Sequence, residues 1–261
     1  MVELGCASDV GMMRRENQDA LGYFPSEAPS IETDKGVLCV VADGMGGHRG
    51  GRDASSIAVT TIPEKYFAAD GASIAESLQH AFQEANGRIY DRAAADNALQ
   101  GMGTTCCALV LRQHTAIIAH VGDSRVYRIT HRGTEQLTRD HSKVAEMVRR
   151  GILTQAEAQI HPERSHLYRA LGVRPSVDVD IIGDIALATD ESFLLCSDGL
   201  YQYVGDDELR EIVLSRRPQE ACEHLVDLAN RRGGSDNISV IVANVRYSGS
   251  FLDRLAVWET R

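Results

Sequence analysis

The chain has no long hydrophobic segment. No uninterrupted apolar run is longer than Val37 to Ala42, far short of the roughly 20 residues a membrane-spanning helix needs. Met1 to Val10 has neither a basic n-region nor an apolar h-region, so no secretory signal is expected. Leu4-Gly5-Cys6 echoes a lipoprotein cleavage site, but no hydrophobic segment precedes it. There is no Lys/Arg block either, and the net charge is −10. That balance argues against nucleic acid and anionic membranes as partners, and the expected location is the cytoplasm. The six cysteines form no CxxC pair, and four of them (Cys39, Cys106, Cys107 and Cys196) lie inside apolar runs. Reduced, buried, structural thiols are expected. Repeats, low-complexity tracts and linkers are also missing.

What remains is an ordinary soluble composition, 43% hydrophobic and 25% charged over 261 residues, long enough for a sizeable core. Short β-branched segments predict strands at Val37–Ala42, Cys106–Leu111, Ala116–Val121, Arg125–Ile129, Phe193–Cys196 and Ile238–Val245. The Arg112-Gln113-His114 turn makes the second and third a hairpin. Ser73 and Glu76 form a capping box, followed by an apolar stripe of Ile74, Leu78, Phe82, Ala85, Ile89 and Ala93. A preceding helix is expected to start near Gly51 and to break at Pro63. Another opens at Pro218 with Leu225, Leu228 and Ala229 inward and stops at Gly233. The segment Ser142–Ser176 differs, with one short helix ending at Gly151 and another starting at a Thr154–Glu157 capping box. It interrupts the strands like an inserted flap. Blocks of strands with blocks of paired helices point to an α+β fold of antiparallel sheets covered by helices.

Four aspartates carry the chemistry. Asp43-Gly44, Gly122-Asp123, Asp198-Gly199 and Asp236-Asn237 each stand at the edge of an apolar run. One Asp-Gly alone is the commonest hairpin-turn signal; four in such contexts suggest a carboxylate site assembled from several strand ends. A site of carboxylates without Cys or an HxxxH pair suits hard cations such as Mg2+ or Mn2+ rather than zinc. Glycine after the aspartate lets the chain turn sharply, so that the carboxylate and the next carbonyl face one cavity. Two such ions about 4 Å apart share a bridging water, bring its pKa near neutral and clamp an in-line displacement. Phosphate ester hydrolysis is the natural use. Arg14 and Arg15 supply a cationic holder for the phosphate.

Eight segments in order, SDVGMMRRENQDA, VADGMGGHRGG, GMGTT, AHVGDSRVYRI, LTRDHS, HLYRALG, LLCSDGL and GGSDNISVIV, resemble the motifs of bacterial PP2C-type (PPM) serine/threonine phosphatases. The likeness spans about Ser8 to Val245. It implies a four-layer αββα sandwich of two antiparallel β-sheets flanked by helix pairs, with the flap inserted at about 142–176. The phosphatase domain is then 1–246 and residues 247–261 form a C-terminal tail. By the same resemblance, Asp43 bridges two metals and the Gly44 carbonyl binds the second. Asp198 and Asp236 complete the first, and Asp19 holds metal-bound water. Arg14 matches the phosphate-binding arginine, Asp123 matches a third, weaker metal site, and the flap matches a substrate-selecting element.

Three departures stand out. Gln18 replaces the Glu of some relatives. His48 stands four residues beyond Gly44, so the leaving-group proton donor of Asp-Gly-His relatives does not transfer to it by position, which leaves it only a possible assisting role. Arg52 stands where Glu is frequent.

Cys106 to Arg112 fits the C-x5-R signature of cysteine phosphatases, but it has no glycine and reads as a buried strand, so it is rejected. Thr104 and Thr105 are read as structural, His120 and His141 as satisfied histidines, and Asn237 as orienting Asp236. Phe251, Leu255 and Trp258 are expected to pack a short helix on the body.

The expected protein is a monomeric, cytoplasmic phosphatase acting on phosphoserine and phosphothreonine in proteins and opposing a bacterial Ser/Thr kinase. It would hold two tightly bound Mn2+ or Mg2+ ions and a third, weaker one. The alternatives are a non-catalytic phosphoprotein-binding module on the same fold and a phosphatase of small phosphometabolites.

Overall fold

The computed structural model describes residues 1–46 and 49–246. Eleven strands and seven α-helices follow one another along this part of the chain. They are β1 (Val2–Asp9), β2 (Asp19–Phe24), β3 (Val37–Met45), α1 (Gly50–Ala68), α2 (Ile74–Ala95), β4 (Gly103–Thr104), β5 (Cys106–Arg112), β6 (Thr115–Val121), β7 (Arg125–Thr130) and β8 (Gly133–Gln136). After these come α3 (Lys143–Arg149), α4 (Gln155–Ile160), β9 (Asp180–Ala186), β10 (Glu191–Cys196), α5 (Asp198–Tyr201), α6 (Asp206–Ser215), α7 (Pro218–Arg231) and β11 (Ile238–Val245). One sheet runs β1-β11-β10-β7-β8 and the other β2-β3-β5-β6-β9, with β4 paired to β3. Every pairing between strands is antiparallel.

Side-chain alternation stacks the layers. In β3, Leu38, Val40 and Ala42 face α1 and α2, packing on Ala58, Ile62, Leu78 and Phe82. Val37, Cys39 and Val41 point the other way and meet Phe193, Leu195 and Ile241 of the second sheet. Beyond that sheet, Leu194, Val240 and Val242 pack on Leu209, Leu225 and Ala229 of α6 and α7. A strand buried on both faces reads as an unbroken apolar run, which is why Val37 to Ala42 shows no alternation. The four-layer αββα sandwich is as expected.

All six predicted strands and the β5–β6 hairpin are present, and the capping boxes at Ser73 and Thr154 form. One expectation is corrected. The first helix does not break at Pro63; α1 continues through it to Ala68. Proline removes one helical N–H, but Ile62, Pro63 and Tyr66 are all buried there. The Tyr66 hydroxyl also donates to the Lys35 carbonyl at 2.6 Å. Tertiary packing outweighs the lost bond. The six cysteines are free thiols and all but Cys6 are buried. Cys106 lies in β5, where burial pushes its thiol pKa up, so C-x5-R has the wrong chemistry for a nucleophile. The tail residues Phe251, Leu255 and Trp258 lie outside the described residues.

Candidate active site

The ends of both sheets meet at one place. Asp19 opens β2 opposite Asp43 of β3, and Asp123 follows the end of β6. From the other sheet come Asp198, just after β10, and Asp236, just before β11. All five carboxylates therefore converge on one end of the sandwich, within electrostatic reach of each other.

Backbone contacts fix the central one. The Asp43 N–H donates to Thr105 Oγ1 at 3.1 Å, and the Asp43 carbonyl accepts from Thr104 Oγ1 at 2.8 Å and from the Thr105 N–H at 2.9 Å. Both threonines are structural, as expected, but their work is to hold this aspartate. The next residue must be glycine, because a Cβ on Gly44 would stand 2.0 Å from the Gly51 carbonyl oxygen. That close approach seats the start of α1 against the site.

The other aspartates are held as firmly. Ser197 donates to Asp19 Oδ2 at 2.7 Å, joining one sheet to the other. Gln202 donates to Asp198 Oδ2 at 2.6 Å, and the Tyr201 hydroxyl donates to the Asp123 carbonyl at 3.2 Å. Asp236 Oδ1 accepts the Asn237 N–H at 2.9 Å. The Asn237 side chain works elsewhere: it donates to the Val10 and Glu16 carbonyls and accepts from the Gln18 N–H. So Asn237 orients Asp236 by its backbone, and its side chain pins the loop that carries Arg14. Arg14 Nη2 lies 2.7 Å from Asp236 Oδ2 with its side chain half exposed at the rim. Arg52, unexplained by sequence, pairs with Glu16 of the same loop at 2.6 Å.

The electrostatics of this place suit a bound cation. Burial, then neighbouring carboxylates, push Asp43 and Asp198 well above the ordinary carboxylate range. Asp19 rises to about 6, chiefly by burial and despite the Ser197 hydrogen bond. Asp123 rises to about 7, by burial and the nearby Asp140. Two buried oxygens, Asp19 Oδ1 and Asp198 Oδ1, have no hydrogen-bond partner among the described residues. Five clustered carboxylates with orphaned oxygens suit hard divalent cations. The residues fit.

The family model for protein phosphatase 2C matches residues 14–232. The chain belongs to the protein phosphatase 2C family. It is a protein-serine/threonine phosphatase, an enzyme of a metal-dependent family. It is 39% identical to the serine/threonine phosphatase stp of Listeria innocua over 240 residues, 90% of this chain and 92% of that one. Stp1 of Staphylococcus aureus superposes with a TM-score of 0.85 at 31% identity, covering 95% of this chain and 96% of that structure. The catalytic domain of the phosphatase PstP, solved with 2 manganese ions, superposes with a TM-score of 0.82 at 29% identity, covering 94% of this chain and 99% of that one.

Some site residues escaped the sequence reading. Arg125 forks onto Asp140 at 2.8 to 3.2 Å, stacks 3.6 Å from the Tyr201 ring centroid, and offsets part of the Asp123 charge. Ser197 and Gln202 were missed too. Arg125 lies close to Asp123 within AHVGDSRVYRI and Asp140 lies within LTRDHS, and membership of those motifs was the available signal. His48 lies outside the described residues.

Proposed function

We propose that this phosphatase removes phosphate from phosphoserine and phosphothreonine in proteins by direct attack of water, without a covalent phosphoenzyme. The convergence of five aspartates with two orphaned buried oxygens, beside the guanidinium of Arg14, carries this reading. Asp43, the Gly44 carbonyl, Asp198 and Asp236 would hold two Mn2+ or Mg2+ ions, with Asp43 shared between them and Asp19 placed to orient water beside them. Asp123 would serve a third, weaker ion. When bound, such cations supply an acidified water and Lewis-acid stabilisation of the phosphoryl oxygens. Arg14 would anchor the phosphate bidentately, leaving Asp236 to the cation. The substrate's flanking peptide would lie in the open groove of about 650 Å³ between Met45 and the flap, against Met147, Ile152 and Tyr168. We place the protein in the cytoplasm as a monomer opposing a Ser/Thr kinase. No helix among the described residues is long and apolar enough to cross a membrane.

The test is hydrolysis of a phosphoserine peptide and of small phosphorylated metabolites under the same Mn2+ concentration. Peptide turnover should dominate; preferential metabolite hydrolysis, or none of either, would defeat the proposal. Replacing Arg14 by Ala should lower kcat/KM by about 100-fold, the scale of a lost charge-assisted bidentate contact, with KM rising. An unchanged KM would remove Arg14 from phosphate binding. For Asp123→Ala, calorimetry should still show the two strong cation equivalents while turnover falls. Loss of the strong pair would contradict its outlying role.

A further inference from the structure

Two histidines beside the Asp123 turn have no part in the chemistry above. His120, in β6, is fully buried, and neither ring nitrogen has a hydrogen-bond partner among the described residues. Its ring centroid lies 4.8 Å from that of His141. With Asp180 at the start of β9, the pair brings three ligand-type atoms within 4.8 Å of one another. That spacing invites a metal, but the hydrogen bonds oppose one. The Gly122 N–H donates to Nδ1 of His141 at 3.0 Å, so that lone pair is engaged and the neutral ring carries its proton on Nε2. Nε2 faces Asp180 Oδ2 at 3.1 Å. A cation there would have to displace that proton and leave an imidazolate. Arg169 Nη1 donates to Asp180 Oδ1 at 2.6 Å and stands 3.2 Å from the same His141 nitrogen. A guanidinium already holds the cation's place.

We infer that Arg169, Asp180 and His141 form a positioning triad that fixes the Gly122–Asp123 turn and ties it to the flap. Arg169 orients Asp180, and Asp180 accepts the Nε2 proton. Nδ1 is thereby left as an acceptor for the Gly122 amide, the logic by which a carboxylate selects a histidine tautomer. The same residue closes the turn a second time, since the His141 N–H donates to the Gly122 carbonyl at 2.8 Å. The opposite face is walled off: Gly122 has φ +108°, and a Cβ there would stand 2.5 Å from Thr105 Cβ. The turn therefore has one position while the triad is intact. The triad also joins the turn to the flap, because Arg169 belongs to that segment and the Tyr168 N–H donates to the His141 carbonyl at 3.0 Å. Its effect on turnover rests on the reading of Asp123 as a cation ligand; the clamp itself does not.

The experiment is nitrogen-15 NMR of the full chain with Mg2+ present. The wild-type imidazole spectrum should show His141 neutral, with Nε2 protonated and Nδ1 bare. A proton on Nδ1 would overturn the triad, and so would a His120 or His141 ring shift on adding Zn2+ at one equivalent. His141→Leu should speed exchange of the Gly122 amide by about tenfold, the scale of one lost hydrogen bond, with Ile241 unchanged. His141→Asn, whose Oδ1 can replace Nδ1 as acceptor, should restore slow exchange. Equal exchange in the wild type and both variants would refute the clamp. In turnover, His141→Leu should lower kcat about tenfold with KM within about twofold, and should add nothing to Asp123→Ala. If Asp123→Ala leaves turnover intact while Gly122 stays protected only with the triad, the ligand role of Asp123 fails and the clamp stands.

Discussion

Asp198→Asn is expected to cut phosphopeptide turnover by about 1000-fold or more, and Asp43→Asn to do the same. The amide keeps the shape of the side chain and, at position 198, the Gln202 contact to Oδ2, but it loses the charge; at Asp198 the other oxygen, Oδ1, is buried with no hydrogen-bond partner among the described residues. Lewis-acid stabilisation of a phosphoryl transition state is worth several kcal/mol, and each 1.36 kcal/mol is tenfold in rate. The metal-free variant should nevertheless melt no lower than the metal-free wild type. Burial, then Asp123, Asp236 and Asp19, push the Asp198 pKa well up, so its charge is a cost to the empty fold. Lost turnover with unreduced stability separates a ligand from a structural residue. A variant near the wild-type rate would show the site to be assigned wrongly.

Removing the cations is expected to have the second-largest effect, and its size should depend on pH. Asp19 and Asp123 carry folded pKa values of about 6 and about 7, raised from 3.8. A carboxyl raised on folding stabilises the native state while protonated. In the metal-free protein that contribution is present below about pH 4 and is lost as pH climbs through 6 to 7. Cations bound at these carboxyls would reverse the loss by replacing the protons. Two ions at 100 times their Kd contribute about 2.7 kcal/mol each, roughly 10 °C in Tm for a chain of this size. Mn2+ should therefore raise Tm by about 10 °C at pH 7.5 and much less at pH 5, where protons compete. Equal shifts at both pH values would mean that these carboxyls do not bind the ions.

The sequence revealed those parts whose cause is local. Val37–Ala42 and Ile238–Val245 were visible as strands because both of their faces are buried, and Ser73–Glu76 because a capping box is contiguous. β1, β2 and β9 went unseen. Each is interrupted by a glycine (Gly5, Gly22, Gly183), and β1 and β2 are mostly half-buried, so none forms a clear alternating or continuous apolar signal. Pro63 misled for a related reason, since its tolerance depends on the tertiary burial of α1 and on the Tyr66 contact to Lys35, neither of which is local to the proline. In the site, Asp43, Asp123, Asp198 and Asp236 were legible because each stands beside a glycine or asparagine at the edge of an apolar run, whereas Asp19 came only from the family resemblance. The Arg125–Asp140 fork, the Ser197 bond to Asp19 and the His141–Asp180–Arg169 triad were not, because only the fold brings those partners together. Arg52 gained an explanation only once Glu16 was seen beside it.

The most direct test is to titrate metal-stripped protein with Mn2+ while following phosphopeptide hydrolysis and heat together. No turnover is expected before cation is added, two strong equivalents should bind, and activity should rise as the second site fills. Turnover in the stripped protein, or activity that grows without cation binding at the aspartates, would contradict the account.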